Sequence, residues 1–199
     1  MQEQQERWSE RTAALVAEVL APAPLVVAFL ALAGWVGAGW SGLAWGLGTA
    51  VLVATVPMTV LRALARRGRV DGHFVRTRSQ RTPVYAATAG LVVVVLLALH
   101  VLGAPALVSF TAGFVLAGIV VLLAVTLRWK VSAHVAVAVF WALGTGVLVA
   151  WWWSLALGWV PVLVARSRVR TGDHTRAQTL AGAGIGAGLA IGYAALLPG

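Results

Sequence analysis

Two histidines, His134 and His174, stand close to arginines and a serine in an otherwise apolar chain. The stretch SRVRTGDHTRAQTLAG (167–182) carries Arg168, His174 and Gln178, and KVSAH (130–134) carries Ser132, Ala133 and His134. A third stretch, DGHFVRTRSQRTP (71–83), holds Asp71, His73, Arg76, Arg78, Arg81 and Pro83. Guanidinium groups grip phosphate oxygens in pairs. Histidine serves either as a nucleophile or as a proton donor and acceptor. Ser132 falls where a helix is expected to begin, and free N–H groups there favour an anion. The combination suits phosphoryl transfer. Each stretch alone has a plainer reading: a basic flanking loop, a capped helix start, a contact with lipid headgroups. Their convergence is what argues for a site.

Convergence depends on the elements that carry them. The chain has 199 residues, 60% of them hydrophobic and 11% charged, with a formal net charge of +9. That composition lies outside the soluble range, and several apolar runs are long enough to cross a bilayer. The expected fold is all-α: one polytopic membrane domain over 1–199, a helical bundle of about six to seven transmembrane helices. The candidate spans are 13–38, 42–65, 84–102, 105–127, 134–150, 152–167 and 176–197, the first prone to break near Pro22 and Pro24. Residues 1–12 read as a polar N-terminal tail rather than a cleaved signal, since acids mix with arginines ahead of the apolar run. There is no cysteine, which excludes disulfides, thiolate metal sites and cysteine nucleophiles.

Seven crossings place the 1–12, 66–83, 128–133 and 168–175 segments on one face. Every Lys and Arg then lies on or near it, while Trp35, Trp40, Trp45 and Trp151-Trp152-Trp153 mark the other. Tryptophan favours the interface, and the basic bias predicts a cytoplasmic charged face. The same parity brings all three polar stretches to one membrane surface.

SRVRTGDH resembles the Ser-Arg-x5-His signature of the type 2 phosphatidic acid phosphatase (PAP2) superfamily. Ser132-Ala133-His134 is similar to its Pro-Ser-Gly-His motif, and Arg76, Arg78, Arg81 and Pro83 resemble a loose Lys-x6-Arg-Pro motif. The resemblance covers 71–182, a PAP2-like catalytic core. It implies a phosphatase that needs no metal and no cofactor and works through a phosphohistidine on His174. His134 would protonate the leaving oxygen. Arg168, Arg81 and Arg76 would hold the phosphate, with Ser132 and the backbone at Ala133. Val131 and Ala133 replace the motif's proline and glycine, and no lysine has the expected spacing. The family's aspartate four residues after the nucleophile is Gln178 here. On a helix that spacing shares a face, so Gln178 would orient His174 without adding charge, with Asp71 or Asp173 as a source of it. His-Thr-x-x-Gln is similar to the dolichyl-diphosphatase branch, which implies an isoprenoid lipid phosphate or diphosphate as substrate. The alternative is a PAP2-like protein that binds or translocates a phosphorylated lipid without hydrolysing it.

Other features have structural explanations. Gly184, Gly188 and Gly192, and separately Gly182 and Gly186, recur every four residues, a pattern for close helix packing that could also serve a homo-oligomer. His100 reads as an interfacial histidine on the far face, His73 as solvated, and Glu18 as snorkelling or paired with an arginine. The sequence lacks aspartate-rich motifs, which argues against a magnesium-dependent prenyltransferase. Its basic residues are scattered among membrane-edge loops, which argues against a nucleic-acid partner.

Overall fold

The structure, a computed structural model, describes residues 2–72, 74–75 and 77–198, with side chains from Arg11 onward. Arg76 and His73 lie outside the described residues. The chain is a bundle of helices with no strand among the described residues: α1 (Gln2–Val19), α2 (Pro22–Ala50), α3 (Val56–Arg66), α4 (Arg78–Val101), α5 (Ala106–Thr126), α6 (Ala133–Leu148), α7 (Trp152–Leu157), α8 (Trp159–Arg170) and α9 (Arg176–Leu196). Arg11–Arg66, Arg78–Val101, Ala106–Thr126 and Arg176–Leu196 contain helix long and apolar enough to cross a membrane; Ala133–Leu148 is shorter and also apolar. Outward-facing Val94, Leu97, Val101 and Ile191 are exposed, as a membrane-embedded protein allows.

Glycine and proline set the breaks. Pro22 opens α2, where its fixed φ suits a first turn and separates α2 from α1. The expected span 13–38 therefore divides: residues 13–19 belong to α1, which also takes in most of the polar 1–12 segment. α2 reverses at Ala38 and Gly39, the latter at φ 57, a conformation natural to glycine. Its two arms then pack so tightly that a Cβ on Gly34 would lie 2.1 Å from the Gly42 carbonyl oxygen. Pro57 has no N–H to return to Val53, and the preceding residues Val51–Thr55 widen into a π-helical stretch. Pro161 likewise leaves Leu157 without a donor, and the expected 152–167 helix becomes α7 and α8, joined at Gly158.

α4 begins at Arg78, earlier than the expected 84. The cause is a reciprocal latch: the Asp71 carboxylate accepts the Thr77 N–H at 2.5 Å, and the Gln80 side-chain oxygen accepts the Asp71 N–H at 3.0 Å. Arg81 is thereby lifted from a loop onto a helix. At the same surface Glu18 pairs with Arg62, and the Ser167 hydroxyl donates to the Ala13 carbonyl at 2.6 Å, tying α1 to α8.

α6 is the central element. It buries Val135 and Ala138 against Leu25 of α2 and Val160 and Val164 of α8. Its closest neighbour is α9: a Cβ on Gly182 would lie 2.5 Å from the Ser132 carbonyl oxygen, and one on Gly186 2.3 Å from that of Ala136. Gly184 and Gly188 meet nothing within 4 Å, so only one of the two glycine series packs here. Gly186→Val should therefore lower stability in detergent by about 2 kcal/mol or more, whereas Gly184→Val leaves it within about 0.5 kcal/mol. Thermal unfolding of both variants checks this; equal losses would contradict the assigned packing face.

Candidate active site

Four helix ends meet at the charged surface: the starts of α4, α6 and α9 and the end of α8. The Ser132 N–H donates to the Gln178 carbonyl at 3.2 Å, joining the first turns of α6 and α9. The His174 N–H donates to the Arg168 carbonyl at 3.1 Å, closing the short loop between α8 and α9. Arg81 of α4 spans the remaining gap. Its Nε donates to the Val75 carbonyl at 2.7 Å and its Nη1 to the Val131 carbonyl at 3.1 Å.

These contacts bring together Arg81, Ser132, Ala133, His134, Arg168, His174 and Gln178. Arg81 and His174 are 5% and 6% exposed, and His134 7%. Together with Ala133 they line one cavity. Arg168 is 2% exposed and set back from it, its Nη2 3.0 Å from Asp173 Oδ2. Phe74 lines the cavity with the Arg168 guanidinium carbon over its ring, 5.1 Å from the centre, and meets His134 edge to face at 4.7 Å between ring centres. The ring thus stands between Arg168 and the open space. Ser132 is fully buried at the head of α6, and its hydroxyl has no hydrogen-bond partner among the described residues. The leading N–H groups of α6 have no intrahelical acceptors, as at every helix start.

Arg78 lies elsewhere: its Nη1 donates to the Arg128 carbonyl at 2.7 Å, pinning the loop. Asp173 serves Arg168 and accepts the Thr171 hydroxyl at 2.5 Å. Asp71 serves the latch to α4. His100 is exposed at the end of α4.

Gln178 sets the chemistry of His174. It closes a capping box with Thr175: the Gln178 N–H donates to Thr175 Oγ1 at 3.3 Å, and the Thr175 N–H donates to Gln178 Oε1 at 3.2 Å. A backbone N–H can only donate, so the amide atom facing it is the oxygen. That same oxygen is 3.0 Å from His174 Nδ1. Nδ1 must then carry the hydrogen, and Nε2 is left with a bare lone pair.

The charge balance points the same way. Burial, then the nearby Arg81 guanidinium, holds His174 down to about 4, against an ordinary 6.5; the Gln178 bond opposes this, and Lys130 and Arg168 add to it. Burial and Arg81 also lower Lys130, with Asp173 in partial opposition. Arg81, Lys130 and Arg168 thus all act on His174, with Asp173 the one buried carboxylate beside them among the described residues, a setting that favours an incoming anion.

Lys130 and Phe74 gain parts here that the motifs did not assign, while Asp173, expected with Asp71 to supply charge to His174, pairs with Arg168 instead. Lys130 opens the KVSAH stretch, a signal available in the sequence; the place of Phe74 depends on tertiary contacts alone. Val75 is held at φ 44, a strained state for a β-branched residue, and its carbonyl anchors Arg81. No family model, curated protein or solved structure matches the chain.

A linkage consequence follows from His174. The unfolded chain takes up its proton near 6.5 and the folded one near 4, so the neutral ring's contribution is complete above 6.5 and lost as pH falls towards about 4. His174→Asn should abolish that part of the acid destabilisation, on the order of 2–3 kcal/mol. Denaturation at pH 7 and pH 4.5 measures it; an unchanged difference between wild type and variant would contradict the buried neutral ring.

Proposed function

We propose that this protein is a membrane phosphatase of the PAP2 type, acting on a lipid phosphate or diphosphate through a phosphohistidine. The observation that carries the reading is the bond between His174 Nδ1 and Gln178 Oε1, which leaves Nε2 unprotonated next to a cluster of cations. Phosphate oxygens bind Arg81, the start of α6 and the Ser132 hydroxyl. Phe74 turns aside so that Arg168 also reaches the phosphate. His174 Nε2 attacks phosphorus as the bond to the leaving oxygen breaks, and that oxygen takes a proton from His134. A water molecule then gives His134 a proton and attacks phosphorus. The P–N bond breaks, and phosphate and free His174 result. With a diphosphate the leaving group is the lipid monophosphate. The guanidinium groups stabilise the charge that builds on the equatorial oxygens, and no cofactor enters the scheme.

The isoprenoid preference rests on the His174-Thr175-x-x-Gln178 pattern. The orientation rests on Arg62, Arg66, Arg67 and Arg69, basic residues away from the site, which favour a cytoplasmic charged face. The expected result is phosphate release that survives excess EDTA and falls by roughly 10³-fold or more in His174→Ala; Arg81→Lys costs roughly 10–10³-fold. Inverted membrane vesicles should release phosphate from an added short-tailed substrate, and sealed right-side-out vesicles should not. Release unchanged in His174→Ala sinks the enzyme reading. Tight lipid-phosphate binding without turnover would favour the binding or translocating alternative.

A further inference from the structure

The same cavity continues well beyond the polar residues. Arg81, His134 and His174 occupy one end; Phe29, Phe114 and Leu189 lie among its other lining residues. Phe140 sits six residues further along α6 than His134, about 9 Å of helix rise. The depth is a fraction of a bilayer core of about 30 Å. Its volume, about 220 Å³, is below the roughly 300–1,000 Å³ usual for pockets that take drug-sized ligands.

Its deep end is rigid. Phe29 and Phe140 meet edge to face at 5.2 Å, and Phe114 and Tyr193 at 5.1 Å. Tyr193 is fully buried and shares a hydrogen bond of 2.8 Å with Thr111. An aromatic cluster anchored in this way resists opening for a longer ligand.

We propose that this cavity holds the tail of a single-chain lipid phosphate, and that the Phe29–Phe114–Phe140 floor sets the longest chain that fits. The proposal rests on the phosphatase reading for the position of the head group. Three features select the occupant. The lining away from the arginines is apolar, so it takes hydrocarbon. The space runs from the two histidines, so the hydrocarbon belongs to the molecule whose phosphate they bind. The volume is too small for two acyl chains side by side. A tail left in the bilayer would be read by nothing; a tail in this cavity is measured against a wall.

Gly118 offers a clean test. It lines the cavity, and an added Cβ would meet only Leu189 Cδ1, at an ordinary 3.5 Å, so a larger residue takes up cavity space without disturbing the backbone. The full-length protein in detergent is assayed with geranyl, farnesyl, geranylgeranyl and undecaprenyl phosphates, dodecyl phosphate and dioleoyl phosphatidate. Wild type should prefer the shorter single chains and turn over the diacyl lipid poorly. Gly118→Leu should cut turnover of geranyl phosphate by roughly tenfold or more. Phe114→Ala, which removes part of the floor, should raise the accepted length. Binding of a non-hydrolysable geranyl phosphonate, followed by thermal shift, reads the cavity independently of turnover. Loss of that shift in Gly118→Leu supports the cavity even if no lipid phosphate is hydrolysed, in which case the phosphatase reading alone fails. Equal turnover of every tail in wild type and both variants, or a phosphonate shift unchanged by Gly118→Leu, overturns the proposal and leaves the phosphatase standing.

Discussion

The backbone hydrogen bond from the Ser132 N–H to the Gln178 carbonyl is the joint on which the rest depends. It fastens the first turn of α6 to the first turn of α9, and the glycine at 182 lets the two backbones come close enough to form it. One side of the joint carries His134 and the other His174. A side chain at 182 would force the helices apart and separate the two rings. The glycine face of α9 is thus a positioning device for the surface site as well as a packing device in the bilayer.

The site is built against an electrostatic cost. Burying a cation is expensive unless it is paired or hydrogen-bonded. Arg168 is matched by Asp173, while Arg81 gives two of its five donors to the carbonyls of Val75 and Val131. Those carbonyls satisfy hydrogen bonds and leave the charge uncancelled. His174 responds by staying neutral. The result is a basic pocket around an unprotonated imidazole, which under the proposed function would receive an anion. In the proposed reaction Gln178 suits this arrangement: its amide oxygen fixes the ring at Nδ1 without adding a negative charge beside the proposed phosphate site.

Much of the architecture was legible in the chain. Hydropathy located the long spans, and the alternation of charged and tryptophan-bearing connections placed the polar stretches on one face. Pro22 marked a real break, and Gly39 the reversal between two apolar runs. Parity put the stretches that carry Arg81, His134, Arg168, His174 and Gln178 on one face; the hydrogen bonds that draw them together there belong to the tertiary structure. What was not legible depended on distant contacts. The early start of α4 comes from Asp71 meeting Thr77 and Gln80, and the independence of α1 from its seat on α8. The division at Gly158 reflects Pro161, whose effect falls four residues earlier. Phe74 is an ordinary loop phenylalanine until the fold sets it beside Arg168 and His134. The cavity is a property of helix spacing, which no local pattern encodes.

The central claim is that His174 attacks through Nε2 because Gln178 holds the hydrogen on Nδ1. The most direct measurement is the site of phosphorylation itself. The protein is mixed briefly with a labelled lipid phosphate and quenched in alkali, where phosphohistidine survives. The modified peptide is then mapped, and the phosphorylated nitrogen is assigned by NMR. The account predicts phosphorus on Nε2 of His174. Phosphorus on Nδ1 of that ring, or on His134, would contradict it.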